Sequence, residues 1–299
     1  MKLAFKTPAK INLALNILGK REDGYHELET LLQMVSLYDR IELESTPSTI
    51  ELDCNHPDIP SDSSNLAVRA ALLLKKHFYE RKELGCRIRL EKNIPAGAGL
   101  GGGSGNAAGV LWGLNVLWDL KLTRENLRDL AADLGSDVPF FLCSPLALGT
   151  GRGEKVTPLQ PIKKLNVVLV FPGFSIAASE VYGSPNLKLT TRKNNISIIQ
   201  KNLSQSGFSD LGTHLHNDLE PVVVESYPVI NEIKNELRAL RAKGALLSGS
   251  GSTVFAVFED SKVARLACSV CKKGNWDTFL TETISSFSEF LPESMINYP

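Results

Sequence analysis

The sequence predicts a mixed α and β protein of two domains, and three observations carry that prediction. Its 299 residues exceed what one hydrophobic core ordinarily holds and suffice for two. Along the chain, apolar periodicity switches between the alternation of strands and the three-to-four spacing of helices. Between one such strand (residues 86–91) and one such helix stands a glycine-rich loop, residues 94–108, with glycine at 97, 99, 101, 102, 103 and 105. The sequence turns Pro-rich over 155–161, so the expected domains are 1–160 and 161–299.

Composition narrows the function. Lys plus Arg and Asp plus Glu each number 33, for a formal net charge of zero, so no surface advertises nucleic acid or an anionic membrane. No apolar run approaches the ~18 residues that would span a bilayer. Residues 1–8 lack a signal-peptide apolar core, so a cytoplasmic location is expected. The five cysteines form no disulfide framework. Cys268 and Cys271 make one C-x-x-C, but the helical spacing of Ala264, Ala267 and Val270 and the lack of a second ligand pair argue against zinc; no metal site is expected from side chains alone.

Taken in order, residues 6–18 alternate Ile11, Leu13, Leu15 and Ile17 with Lys10, Asn12, Ala14 and Asn16, a strand with one apolar and one polar face. Lys10 and Asn12 point the same way; a solvated face is the ordinary reading, although a Lys and two Asn framed by core residues are unusual for solubility alone. Asp23-Gly24 signals a hairpin turn. Tyr25 then offers a π-face and His26 a donor and an acceptor, a pair suited to a flat heterocycle, while a lone His is more often structural. Residues 33–37 and 39–45 look extended, Pro47-Ser48 turns the chain into a strand over 50–54, and 55–64 is a loop. A helix over 65–77 follows, capped by Ser63 or Ser64; His56 and His77 look incidental. After the loop, Ala107, Val110, Leu111, Leu114 and Trp118 mark a helix with Ser104 or Asn106 as its cap. Thr123 caps a helix running to about Leu134, with Gly135 after its end. In Gly135-Ser136-Asp137-Val138-Pro139, Asp137 reads as a plain N-cap with Pro139 in the first turn.

The glycines of 148–154 mark a turn, a phosphate role being the weaker reading because no long helix follows, and 165–171 is a buried strand. Tyr182 follows, and 187–211 is polar and assigns no element. Asn217-Asp218 caps a helical stretch with Pro221 in its first turn, and His214 and His216, two apart, share no helix face. Residues 229–242 are amphipathic. Ser-Gly-Ser-Gly-Ser at 248–252 stands between two short strands, a helix over 261–273 and a strand over 278–283 complete the alternation, and the tail at 285–299 carries no signal.

Three readings of the glycine loop compete. A flexible linker does not carry Ile94-Pro95 in front and a small-residue helix start behind. Gly97, Gly99 and Gly102 satisfy G-x-G-x-x-G, but a dinucleotide fold asks for an acidic residue after a second strand about twenty residues on, and Asp119 stands at a helix end instead. Walker A is excluded because no Gly-Lys-Ser/Thr follows. A non-Walker phosphate loop remains, with free N–H groups and the positive end of a helix dipole.

Pro95-x-Gly-x-Gly-Leu-Gly-Gly-Gly-Ser104-x-Asn106-Ala-Ala resembles the ATP loop of the GHMP small-molecule kinases. Asp23-Gly-Tyr-His-Glu-Leu28 is similar to the signature of the family's erythritol-kinase branch, Pro8-Ala-Lys-Ile-Asn-Leu13 to its N-terminal motif, and Gly135-Ser-Asp-Val-Pro-Phe-Phe141 to the segment with its catalytic aspartate. One departure shows: the branch usually has a serine where this chain has Gly105, a hydroxyl lost at a position that could touch phosphate. The resemblance implies an α+β, two-domain GHMP kinase fold, with an N-terminal ribosomal-S5-domain-2-like domain, a C-terminal ferredoxin-like domain and the active site between them.

The implied activity is ATP-dependent phosphorylation of the 2-hydroxyl of a cytidine-diphosphate-linked methylerythritol in the non-mevalonate isoprenoid route, with Mg²⁺ expected alongside ATP. By the same resemblance Lys10 and Asp137 are catalytic. Lys92, Pro95, Ala96, Gly97, Ala98, Gly99, Leu100, Gly101, Gly102, Gly103, Ser104 and Gly105 meet ATP. Asn12, Tyr25, His26 and Tyr182 meet the acceptor, with Phe174 the alternative to Tyr182, and the third glycine motif at 245–253 packs on the ATP loop. Partners are then the small molecule and ATP, with no nucleic acid and no membrane, the chain acting as monomer or homodimer. A kinase of the family acting on homoserine or mevalonate, and a non-catalytic nucleotide-binding module, are the alternatives.

Overall fold

The computed structural model describes residues 1–81, 83–190, 196 and 211–298. Two long strands, β1 (Lys2–Lys20) and β2 (His26–Thr46), pair antiparallel from Lys2 opposite Glu44 to Lys20 opposite His26. The two extended segments expected within β2 are one strand, because the irregularity near Tyr38 is absorbed as a register shift opposite Pro8 and Ala9 rather than as a turn. On its other edge, one half of β2 pairs with β4 (Gly85–Glu91) and the other half with β5 (Leu146–Gly151). A parallel strand β3 (Ile50–Cys54) lies beside β4, and β6 (Lys155–Pro158) beside β5. From the far end of the sequence, β8 (His216–Asn217) pairs parallel with β1 at Ala14 and Leu15.

Four helices cover one face of this sheet: α1 (Leu66–His77), α2 (Gly102–Leu117), α3 (Arg124–Ala131) and α4 (Val138–Cys143). The cap of α1 is Asn65, whose side chain accepts from the Ala67 N–H, rather than Ser63 or Ser64. Thr123 caps α3 in a reciprocal box with Asn126, and the helix stops at Ala131, with a turn over 132–134. All of α2 but Gly103, Ser104 and Val116 is buried, and it lies so close to β1 that a Cβ on Gly109 would stand 2.5 Å from Thr7 Cγ2. The tail is a working part of this layer. A 3₁₀ turn (Phe287–Glu289) and a short helix (Glu293–Ile296) place Phe287, Phe290, Leu291 and Met295 in the same core as Leu111 and Leu114. Trp112 Nε1–H donates to the Met295 carbonyl at 2.8 Å.

The second sheet is antiparallel throughout, in the order β11 (Asp277–Glu282), β7 (Asn166–Phe171), β10 (Val254–Phe258), β9 (Gly244–Leu247). Beside it run α5 (Ala178–Tyr182), α6 (Leu211–His214), α7 (Glu220–Ser226), α8 (Val229–Ala239) and α9 (Ser261–Lys273). Ile230, Ile233, Leu237, Ala264, Ala267 and Cys271 fill one core with Val168, Val170 and Ala256. Burial there pushes the Cys271 thiol up to about 11. The opposite face, with Val167, Leu169, Phe255 and Val257, packs on Ile11, Leu13, Leu31 and Val35 of the first sheet. With partners on both sides, β1 has no solvated face over residues 7–17: Lys10, Asn12 and Asn16 are buried. Residues 191–195 and 197–210, within the stretch to which sequence assigned no element, lie outside the described residues. No helix among the described residues is long and apolar enough to cross a membrane.

Candidate active site

The glycine loop alternates in sign along its backbone. Gly97, Gly99 and Gly101 have φ of 63°, 75° and 67°, values that side-chain-bearing residues rarely adopt. Ala98 and Leu100 between them are buried in the core between the sheets. The four successive carbonyls are all engaged from outside. Gly97 accepts from the Ile176 N–H (3.3 Å), Ala98 from the Thr253 N–H (3.2 Å), Gly99 from Ser248 Oγ (3.0 Å) and Leu100 from the Lys10 N–H (2.9 Å). With its oxygens tied back, the loop is a concavity of the kind whose N–H groups receive anions. The first turn of α2 adds amides that no intrahelical carbonyl can satisfy. The helix begins at Gly101 in the left-handed region and has no side-chain cap, so neither Ser104 nor Asn106 plays that part. Ser104 lines the cleft instead, and Asn106 points beneath the loop.

Beneath the loop, the Asp39 carboxylate is inaccessible to solvent. It accepts from the N–H groups of Asn93 (2.8 Å) and Ile94 (2.9 Å), from Asn106 Nδ2 (2.9 Å) and from the Lys92 ammonium. Lys92 Nζ also donates to Asn106 Oδ1 at 3.1 Å. The Lys92 charge therefore faces inward, below Gly102.

In front of the loop, Lys10 Nζ lies 3.6 Å from Asp137 Oδ2 and donates to Asn12 Oδ1 at 2.7 Å. Asn12 Nδ2 donates to Thr30 Oγ1, which donates to the Ala14 carbonyl, so the Asn12 amide is fixed in orientation. Asp137 occupies the cap position of α4 yet makes no side-chain cap bond, and its carboxylate is about a third exposed toward the cleft. The third glycine motif closes over this group. A Cβ on Gly249 would come 3.1 Å from Lys10 Nζ, and Asn217 Nδ2 donates to the Leu247 and Gly249 carbonyls.

The cleft has a volume of about 660 Å³ and runs from Gly99, Gly101 and Ser104 past Lys10 and Asp137 to an aromatic end. There the His26 and Tyr182 rings stack with centroids 5.5 Å apart, and Tyr25 is more than half exposed. Burial and the nearby Lys20 ammonium hold His26 below its usual 6.5, which keeps the ring neutral at pH 7. Burial, with the Asp137 carboxylate, raises the Tyr182 phenol. Phe174 does not enter this cleft; it stacks on Tyr227 at 5.2 Å.

Pro95, Ala96 and Gly97 line a second cavity, of about 650 Å³, together with Lys92, Phe174 and His56, which sequence had set aside. Gly105 faces neither cavity. A Cβ there would meet the Pro8 carbonyl at 3.0 Å and the Phe141 ring at 3.4 Å, so the missing serine hydroxyl is lost from the contact of α2 with β1, not from the cleft. The turn between β5 and β6 brings Arg152 and Gly153 into the cleft; sequence reasoning missed Arg152 and gave the glycine cluster only a weaker phosphate role.

The family model described as "GHMP kinases N terminal domain" matches residues 65–144, and that described as "GHMP kinases C terminal" matches residues 188–275. The 4-diphosphocytidyl-2-C-methyl-D-erythritol kinase of Geobacter sp. (strain M21) is 45% identical over 273 residues, 91% of this chain and 95% of that relative. The protein of the same name in Syntrophotalea carbinolica is 44% identical over 284 residues, 94% of this chain and 99% of that relative. A crystal structure of a 4-(cytidine 5'-diphospho)-2C-methyl-D-erythritol kinase aligns at a TM-score of 0.81 with 34% identity, covering 96% of this chain and all of the other. A homoserine kinase from Cytophaga hutchinsonii shares the fold at a TM-score of 0.73 and 18% identity. Matched in both halves and related along nearly its whole length to members of one family, the chain belongs to the GHMP kinases.

Proposed function

We propose that the chain transfers the γ-phosphoryl group of ATP to the 2-hydroxyl of 4-diphosphocytidyl-2-C-methyl-D-erythritol. The observation that carries this reading is the Lys10–Asp137 pair standing between an amide-lined loop and an aromatic end within one cleft. Relatives named for that reaction, at 37–45% identity, support the choice of acceptor. In this reading the loop and the start of α2 hold the triphosphate, the nucleoside lies toward the cavity lined by Pro95 and His56, and Tyr25, His26 and Tyr182 hold the cytosine.

The acceptor hydroxyl then lies against Asp137. Its proton passes to the Asp137 carboxylate as the new O–P bond forms and the bond from the γ-phosphorus to the bridging oxygen breaks, and ADP leaves. Lys10, oriented by Asn12, offsets the charge on the transferring group. Mg²⁺ fits this donor set as a companion of the nucleotide. Among the described residues no three His, Cys, Asp or Glu side chains converge, and one carboxylate, Asp137, with the Ser104 hydroxyl suits an ion that keeps most of its ligands from phosphate and water. When bound, it would neutralise phosphate charge. The proposed compartment is the cytoplasm.

The test is ATP consumption by the purified protein with Mg²⁺ and, in parallel, the cytidine substrate, mevalonate or homoserine. Turnover confined to the cytidine substrate and lost in Asp137→Asn is expected. Turnover on another acceptor, or on none, overturns the assignment.

A further inference from the structure

The guanidinium of Arg152 lies over the Tyr25 ring, 4.8 Å from its centroid, at the aromatic end of the cleft. Its backbone is held there: the Glu154 carboxylate accepts from the Arg152 N–H at 2.6 Å and fills the inside of the turn at Gly151. The same carboxylate is only a distant partner for the side chain, 3.9 Å from Nε. Among the described residues the guanidinium makes no hydrogen bond, and Lys20, a second lining cation, forms no ion pair within 4.0 Å. Two cations at the aromatic end of the cleft, Arg152 with its one acid as far as 3.9 Å away and Lys20, opposite His26, with none within 4.0 Å, describe a site for an anion.

We propose that Arg152, assisted by Lys20, binds the diphosphate of the acceptor, so that residue 152 sets the preference for a nucleoside diphosphate over the bare nucleoside. The inference rests on the cytidine assignment above. A guanidinium held over an aromatic ring with no hydrogen bond of its own has N–H groups left to give, and its planar fork can meet two phosphate oxygens at once. The base is then gripped beside Tyr25 and the diphosphate at Arg152, with the remaining alcohol extended toward Asp137.

Calorimetric titration of the full chain with cytidine and with CDP tests this directly. Wild type is expected to bind CDP more tightly than cytidine. Arg152→Gln should shrink that advantage by about 10- to 100-fold, as for a lost charge-assisted contact, while Arg152→Lys retains part of it. An unchanged CDP-to-cytidine ratio in Arg152→Gln overturns the proposal and leaves the cytidine assignment standing. A loss of ATP-analogue affinity in place of CDP affinity also overturns it, placing Arg152 at the other nucleotide. Failure of wild type to bind either cytidine compound overturns the cytidine assignment itself. Should Arg152→Gln not fold, as judged by its melting, the ratio in Arg152→Lys against wild type decides: no change there overturns the proposal.

Discussion

Asp39 and Lys92 form an ion pair beneath the glycine loop that solvent scarcely reaches, with side-chain exposures of 0% and 5%. The Asp39 carboxylate joins the strand leading into the loop, through Asn93 and Ile94, to the helix leading out of it, through Asn106. Truncation to Asp39→Ala strands a buried ammonium and three donors, a change that costs about 3–5 kcal/mol when one partner of a buried pair is removed. Denaturant unfolding should show that loss, and KM for ATP should rise as the loop loses its base. A change below about 1 kcal/mol would show that water or a rearranged Asn106 replaces the carboxylate.

Asp137→Asn keeps the shape of the cleft and removes the proton acceptor. With the geometry of Lys10 intact, kcat should fall by about 10²–10⁴-fold, the range for a general base, while affinity for a non-hydrolysable ATP analogue stays within a few-fold. Lys10→Met should also depress kcat, by about 10²–10³-fold as for a lost charge stabiliser. Equal losses in ATP affinity and kcat would make Asp137 a structural residue.

His26 offers a pH signature. Its folded value lies below 6.5 because burial and Lys20 both disfavour the charged ring. In the window just below 6.5 the unfolded chain therefore binds more protons than the folded one, and acidification through that window lowers stability. A nuclear magnetic resonance titration of the His26 ring should give a midpoint below 6.5, and Lys20→Gln should move it upward. A midpoint at or above 6.5 would mean that the ring is more solvated than its contact with Tyr182 suggests.

Gly109 is where α2 touches β1. A methyl group there meets Thr7 Cγ2 at 2.5 Å and the Phe5 ring at 2.9 Å, so the helix must lift. Gly109→Ala should destabilise by roughly 1–3 kcal/mol through overpacking, against the stabilisation that Gly to Ala gives in an open helix. Melting temperatures of Gly109→Ala and of Gly103→Ala, at an exposed position of the same helix where a Cβ meets only Leu66 Cδ1 at 3.5 Å, would separate the two effects.

Legibility in the sequence followed from how local each signal is. The bounds of α9, 261–273, were readable because an amphipathic stripe ends at Gly274 and starts after Asp260, the residue that caps it in the structure. The order of loop, lysine and aspartate was readable because glycine spacing and the motif around Asp137 are contiguous in sequence. The cap of α2 was not, since cap preferences reward side-chain oxygens and this helix opens on Gly101 in the left-handed region with no side-chain cap. The burial of the polar face of β1 depends on β8 and the second sheet, more than a hundred residues away. The inward turn of Lys92 depends on Asp39, and the arrival of Arg152 beside Tyr25 on a hairpin whose sequence says only that it turns. The tail looked featureless because its four anchors serve a core assembled from the other end of the chain.

That last arrangement bears on how the protein comes into being on the ribosome. Phe287, Leu291 and Met295 complete the packing around Trp112, and Ser248 and Thr253 tie back the oxygens of the glycine loop. The N-terminal half thus emerges first but cannot finish packing until residues 287–295 have left the ribosome. A stalled nascent chain would leave the apolar flank of α2 open to chaperones and proteases. Phosphorylating capacity would await the release of residues 287–295 rather than accumulate as the first half is synthesised.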